Sequence, residues 1–329
     1  MIFQTAVVGL NKVGASIGLA LAAYPEILTC VGYDDDPRIA RAAAKQGSIT
    51  KGYMTLHRCV RESKVIILSC PLDDLKENFS LIAEHAQAGT VVIDTSPNKT
   101  AVAAWAQDIL PKNIYFTGWT LAFNPDHLYE SELGIDAARG DLFAGSLIGI
   151  NDPPGTPEAV LNLSSDLVAL LGARPYFVDS AEADGLIAMG QQLPRVAALA
   201  LLLATVDSSG WHEARKLAGP DYAQSTLPIL NVGEREDLGL SMRLNKTNLA
   251  RLIDDLTAAL ARVRAHLEDE NDAALLQDLQ DAIEKRLLWL EQRKKQSWDT
   301  PYHGDQPRPE RPSLLGSWLD SKLKKSQDS

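Results

Sequence analysis

Short β-branched runs at residues 5–8, 31–33, 65–68 and 91–93 alternate with alanine-rich or amphipathic stretches at 13–23, 37–45, 75–85 and 101–110. A strand that is apolar throughout needs cover on both faces, and a parallel neighbour needs a crossover segment. The alternation therefore predicts an α/β, doubly wound parallel sheet with helices on both sides. Two more strands are expected at 114–117 and 146–150, then a helix at 157–171 and a last strand at 175–178. Beyond residue 180 every periodic segment (183–206, 211–217, 242–268 and 272–293) has helical spacing, so the second half should be all-α.

The first of these crossovers carries "AVVGLNKVGASIG" between strand and helix. A pyrophosphate at such a turn is held by main-chain N–H groups and the positive end of the helix dipole, so glycine is needed where a Cβ would intrude. Gly9 supplies the tight turn and Gly14 the close packing of helix on strand, while Asn11 stands where a glycine normally faces the phosphates. Asn tolerates a left-handed backbone, and its amide is able to donate to a phosphate oxygen. Asp34 closes the second strand, where a carboxylate accepts from the adenosine ribose hydroxyls, which favours NAD; Arg38 nearby keeps NADP as the lesser alternative. Asp36 should cap the helix that Pro37 begins.

A net charge of −11 argues against a nucleic-acid partner, which needs a surplus of Lys and Arg on some face. Cys30, Cys59 and Cys70 are odd in number and lie in apolar surroundings, as expected of reduced, structural thiols. The start of the chain lacks a basic stretch leading into an apolar segment, so a cytoplasmic location is expected. The longest apolar run, 196–206, is short for a bilayer and is expected to be a buried core helix, with no membrane partner. Residues 296–312 read as a Pro-rich linker, followed by a helical stripe of Leu314, Leu315, Trp318, Leu319 and Leu323 suited to docking on this protein or a sister subunit.

Taken together, "VVGLNKVGASIGLAL", "VGYD", "VIILSCPLDDL", "GTVVIDTSPNK", "GDLFAGSLIGI", "GARPYFVDSAEADGLIAMGQQLPRVAA" and "LNKTNLARLIDDLTAAL" resemble the prephenate and arogenate dehydrogenases of tyrosine biosynthesis, to about Arg293. The resemblance implies a dinucleotide-binding domain at 1–179, an all-helical substrate and dimerisation domain at 180–295, and an unassigned linker and tail at 296–329. It also implies a homodimer with the active site in the cleft between domains, NAD as cofactor, and a small carboxylate substrate. The cofactor would touch Gly9, Leu10, Asn11, Lys12, Val13, Gly14, Asp34 and Pro71. In the family reaction a hydride passes to the nicotinamide while the ring carboxylate leaves as CO2.

Several family positions have changed. After Asp94 and Ser96 the family serine is Pro97, although Lys99 is kept. The family Gly-Gly-His-Pro reads Gly118, Trp119, Thr120, Leu121; a His-Asp pair reads Ala183-Asp184; a Ser-His-Leu-Pro-His run ends in Gln192, Leu193, Pro194 and Arg195; and the substrate arginine corresponds to Leu227. Thr120 is no substitute for an imidazole base. The catalytic candidates are therefore Thr120 by position, Lys99, and His127, with Asp126 available to orient it. His127 is alternatively a loop histidine and Lys99 a solvated helix-start residue. Gln192 and Arg195 are the substrate-binding candidates; Arg195 has a salt bridge to Asp184 or Glu182 as its alternative. His57, His85, His212 and His266 show no metal-ligand spacing, so no metal is expected. Two functions follow: an NAD-dependent oxidoreductase, or a noncatalytic relative acting through its dimer surface and tail.

Overall fold

The structure, a computed structural model, describes residues 3–230 and 238–297. The amphipathic stripe at 314–323 and nearly all of the 296–312 linker lie outside the described residues. The chain runs β1 (Phe3–Val8), α1 (Lys12–Leu21), β2 (Leu28–Tyr33), α2 (Pro37–Gln46), β3 (Lys51–Tyr53), α3 (Leu56–Val60), β4 (Val65–Leu68), α4 (Leu75–His85), β5 (Val91–Asp94), α5 (Lys99–Ile109), β6 (Tyr115–Leu121), β7 (Leu147–Asn151), α6 (Glu158–Leu170) and β8 (Arg174–Phe177). Its eight-stranded sheet has the order β3-β2-β1-β4-β5-β6-β7-β8. This is a Rossmann-like doubly wound sheet, and the strand order reverses beside β1, so the carboxyl ends of β1 and β4 are the place where sheets of this kind bind ligands.

Two strands depart from the all-parallel expectation, because β7 runs antiparallel to β6 and β8 runs parallel to β7. Between β6 and β7 residues 122–146 form only two 3-10 turns, Pro125–His127 and Ile135–Ala137, so no crossover helix returns the chain to the starting edge. The short β3 and α3 had no counterpart in the sequence reading. The Lys-Gly-Tyr of β3 carries no β-branched residue and pairs only with β2. One core lies on each sheet face: Ile17, Leu21, Trp119, Phe143 and Leu167 on one, Leu56, Leu72, Phe79 and Val102 on the other. The three cysteines are free, with Cys30 and Cys59 buried, and burial pushes each of the three thiols up to about 12.

The helical half contains α7 (Ser180–Ile187), a π turn (Ala188–Gln192), α8 (Leu193–Val206), α9 (Trp211–Ala214), α10 (Pro220–Thr226), α11 (Leu238–Leu244), α12 (Lys246–Glu268) and α13 (Asp272–Lys295). The expectation that the apolar run 196–206 is buried and short for a bilayer is corrected here. The helix is continuous from Ser180 to Val206, so by length and composition it is long enough to cross a membrane, and its most apolar window is only 22% buried. Leu203 is 61% exposed. The continuity agrees with the helical spacing expected at 183–206; it is the burial that differs, while Asp184 and Gln192 turn inward to hydrogen-bond other elements. On α12 and α13, Leu260, Leu267, Leu276, Ile283 and Leu287 are likewise exposed.

Candidate functional site

The glycine turn has the expected shape. Gly9 adopts φ +85°, and a Cβ there would collide with the Ser69 carbonyl; a Cβ on Gly14 would collide with the Gly9 carbonyl. Leu10 is buried in the core with Val13 packed against it, and Pro71 follows β4, where its carbonyl accepts from Asp74 N. Asp34 Oδ2 accepts from Leu10 N at 2.9 Å and its Oδ1 from Asp36 N at 3.0 Å. The acid is thereby fixed beside the turn, with a second lone pair left on each oxygen. Asp36 caps α2 through Arg38 N and also holds the Arg38 guanidinium, with Nη2 to Oδ2 at 2.6 Å.

Asn11 differs from expectation. Its backbone is extended, φ −68° and ψ −172°, so no left-handed conformation is needed. Its Oδ1 accepts from Val13 N and Gly14 N, both at 3.0 Å, capping α1. Its Nδ2 donates to the Ser69 carbonyl at 2.8 Å rather than outward, and Ser69 Oγ donates to Oδ1 at 3.1 Å. Ser69 had no signal in the sequence beyond following a strand.

A second cluster lies at the start of α5. Lys99 is buried and not solvated, which corrects one of its two sequence readings; its Nζ donates to Asp94 Oδ2 at 2.9 Å and to the Asp94 carbonyl at 3.1 Å. Burial lowers the Lys99 pKa, and the adjacent Asp94 charge opposes the shift. The carboxylate of Asp184, on α7, reaches across to accept from Lys99 N at 2.6 Å and Thr100 N at 3.1 Å. It thus caps a helix whose own N-cap residue, Asn98, makes no side-chain cap bond and donates instead to Ser241 O at 3.0 Å. Gln192 is buried here too: it donates to Ser241 Oγ at 2.9 Å and accepts from Asn245 Nδ2 at 2.9 Å. Asn245 also donates to the Asp184 carbonyl. Arg195 is half-buried on the first turn of α8, while both oxygens of Asp184 serve α5. Leu227 begins a 3-10 turn, Leu227–Ile229.

Thr120 Oγ1 donates to Asn151 Oδ1 at 2.9 Å. His127 lies in the loop after β6, and its ion-pair partners belong to that loop. Its Nδ1 is 2.9 Å from Glu130 Oε1 and its Nε2 3.1 Å from Asp141 Oδ1. The expected orienting residue, Asp126, instead gives its amide to Asn124 Oδ1; Glu130 takes that role through its bond to Nδ1, while Asp141 stands near Nε2 without a hydrogen bond to it. Glu130 also accepts from Arg139 Nε at 2.9 Å and faces Lys12 Nζ at 3.7 Å, while Lys12 donates to the Glu132 carbonyl. The loop is tied in this way to the first turn of α1. A carboxylate three residues after a histidine is a visible spacing, but Asp141 lies too far along the chain to be paired with His127 by pattern. No group of three or more His, Cys, Asp or Glu suited to a metal is found among the described residues.

Residues 17–177, which hold all of the sheet except β1 and the turn, match the family model described as prephenate dehydrogenase, nucleotide-binding domain. The chain's nucleotide-binding domain belongs to the prephenate dehydrogenase family. "Probable prephenate dehydrogenase NovF" of Streptomyces niveus is 35% identical over 129 residues, 36% of this chain and 35% of that protein. The match thus spans about a third of that relative's length. The fold extends further. Prephenate dehydrogenase from A. aeolicus, solved with hydroxyphenyl propionate and NAD+, superposes with a TM-score of 0.76 at 19% identity, covering 87% of this chain and 98% of that one. Synechocystis arogenate dehydrogenase superposes at 0.68 with 20% identity, covering 87% and 99%. The helical half of the prephenate dehydrogenase fold is therefore present as well.

Proposed function

We propose that the chain is an NAD-dependent dehydrogenase of the prephenate and arogenate type, acting on a small cyclic carboxylate as a cytoplasmic homodimer. The observation that carries this reading is the union of a family-matched nucleotide domain with Asp34 fixed by Leu10 N beside the glycine turn. The turn fits the dinucleotide in its tight bend and acidic neighbour, and Asn11 narrows that fit by occupying two amides. Gly9 to Gly14 and Pro71 would hold the cofactor, with Asp34 accepting from the ribose. NAD is favoured over NADP because Arg38 is already paired with Asp36. Bound NAD would supply the hydride acceptor.

On this reading Gln192 and Arg195 shape the substrate side, and His127, oriented by Glu130 through Nδ1, is the proton acceptor at Nε2. Lys99 and Asp94 act as a fixed ion pair beneath the cleft. The exposed apolar faces of α8, α12 and α13 are the surface for a second copy. The test is NADH formation from NAD+ with prephenate and with arogenate, expected with one of them. His127→Ala should abolish it, and unchanged turnover would remove His127 from the chemistry.

A noncatalytic dinucleotide-binding relative is the second reading, favoured by Thr120 at the family histidine position and by the closed Lys99–Asp94 pair. Saturable NADH binding without turnover on either substrate would select it. A different small carboxylate as substrate gives the same result with these two compounds, and NADH formation from another small carboxylate separates it from the noncatalytic reading.

A further inference from the structure

We infer that the Asn11 carboxamide is an internal occupant of the diphosphate cradle, and that a dinucleotide must displace it from the first amides of α1. This rests on the cofactor site proposed above. The N–H of Gly9 goes to the Tyr33 carbonyl and that of Leu10 to Asp34, while Val13 and Gly14 donate to Asn11 Oδ1. Only the amides of Asn11 and Lys12 in this turn are left without a partner among the described residues. The carboxamide is not a loose side chain swinging over the turn. It has four hydrogen bonds on two elements, two to α1 and two to Ser69, and Ser69 is itself buried directly after β4. Its relaxed backbone stores no strain that would release it.

A phosphate is a charged acceptor, makes stronger hydrogen bonds than a carboxamide oxygen, and is favoured at a helix N-terminus. Exchange therefore runs toward the ligand, but every bound dinucleotide leaves Asn11 and Ser69 to find new partners. Asn11 thus sets the affinity of the site below that of a turn with glycine at this position.

The experiment is NADH titration of the full chain by fluorescence, with the thermal midpoint of each free protein recorded. Asn11→Gly frees the two amides and should tighten binding about tenfold, the value of roughly two displaced neutral hydrogen bonds. Asn11→Asp can still accept from the first amides of α1 but loses the Nδ2 bond to the Ser69 carbonyl, so its midpoint should fall; its negative charge against the diphosphate should weaken binding about tenfold or more. Should Asn11→Gly fold poorly, Ser69→Ala keeps the α1 cap, loosens the carboxamide, and should tighten binding about twofold to threefold. The inference is overturned if the folded variants that free or loosen Asn11 bind NADH no more tightly than the parent chain. If parent and variants alike show no saturable binding, the cofactor site itself is refuted, and this inference with it.

Discussion

Helices α1 and α5 both start just beyond a strand of the sheet, and in both the first amides are taken by a side chain, but the side chains come from different distances. Asn11 caps α1 from the adjacent position in sequence. Asp184 caps α5 from 85 residues away, on the first helix of the other half of the molecule. The local cap belongs to one helix and leaves the two halves independent. The remote cap makes the start of α5 part of the boundary, where Asp94, Lys99, Gln192 and Asn245 meet. Groups that are fixed from both sides of a cleft keep their relative positions without help from a ligand.

The largest effect should come from the ion pair beneath that remote cap. Asp94→Ala leaves the Lys99 ammonium buried without its partner, and should cost about 3–5 kcal/mol in denaturant unfolding. Asp184→Ala strips the acceptor from two helix amides at once and should cost about 2–3 kcal/mol, with Asp184→Asn intermediate. Asn11→Ala removes the local cap and the two bonds to Ser69, and should cost about 1–2 kcal/mol. If the Asp184 variant is no less stable than the Asn11 variant, the distinction between the two helix starts has no energetic content.

The smallest effect concerns the loop on α1. Burial raises the Glu130 pKa, but hydrogen bonds from Arg139 and His127, with their charges, bring it below the usual glutamate value. A carboxyl depressed in the fold stabilises it above the unfolded pKa, and that contribution is lost as pH falls through the folded value. Amide protection at Arg139, whose N–H is held by Ser16 Oγ, should therefore fall in acid before the sheet loosens. Equal protection at neutral and acid pH would show that the Glu130 contacts do not hold the loop.

The sheet was largely legible in advance because apolar runs such as Val65–Leu68 must be covered on both faces, and that pattern is local. The turn was legible at Gly9, where φ +85° demands glycine, and at Asp36, whose cap is two residues from its donor. The antiparallel β7 was not, because strand polarity depends on where residues 122–146 lead the chain and not on what they are. His127 stood out by residue type alone, whereas its carboxylate pair was misjudged: Asp126 is closer in sequence, but Glu130 and Asp141 are closer in space. Asp184 drew notice as part of a family pair and as a salt-bridge partner for Arg195, but nothing nearby in the chain showed that its acceptors would be turned toward α5.

The chain by itself determined most of the strands and helices, where the glycine turn falls and which acid follows it, since each is set by interactions across a few residues. Only the tertiary structure decided that Asn11 fills the turn against Ser69, that Lys99 is buried on Asp94, and that Asp184 caps a distant helix. A hydrogen bond is chosen by the distance and direction of its partners in space, and neither is encoded by separation along the sequence.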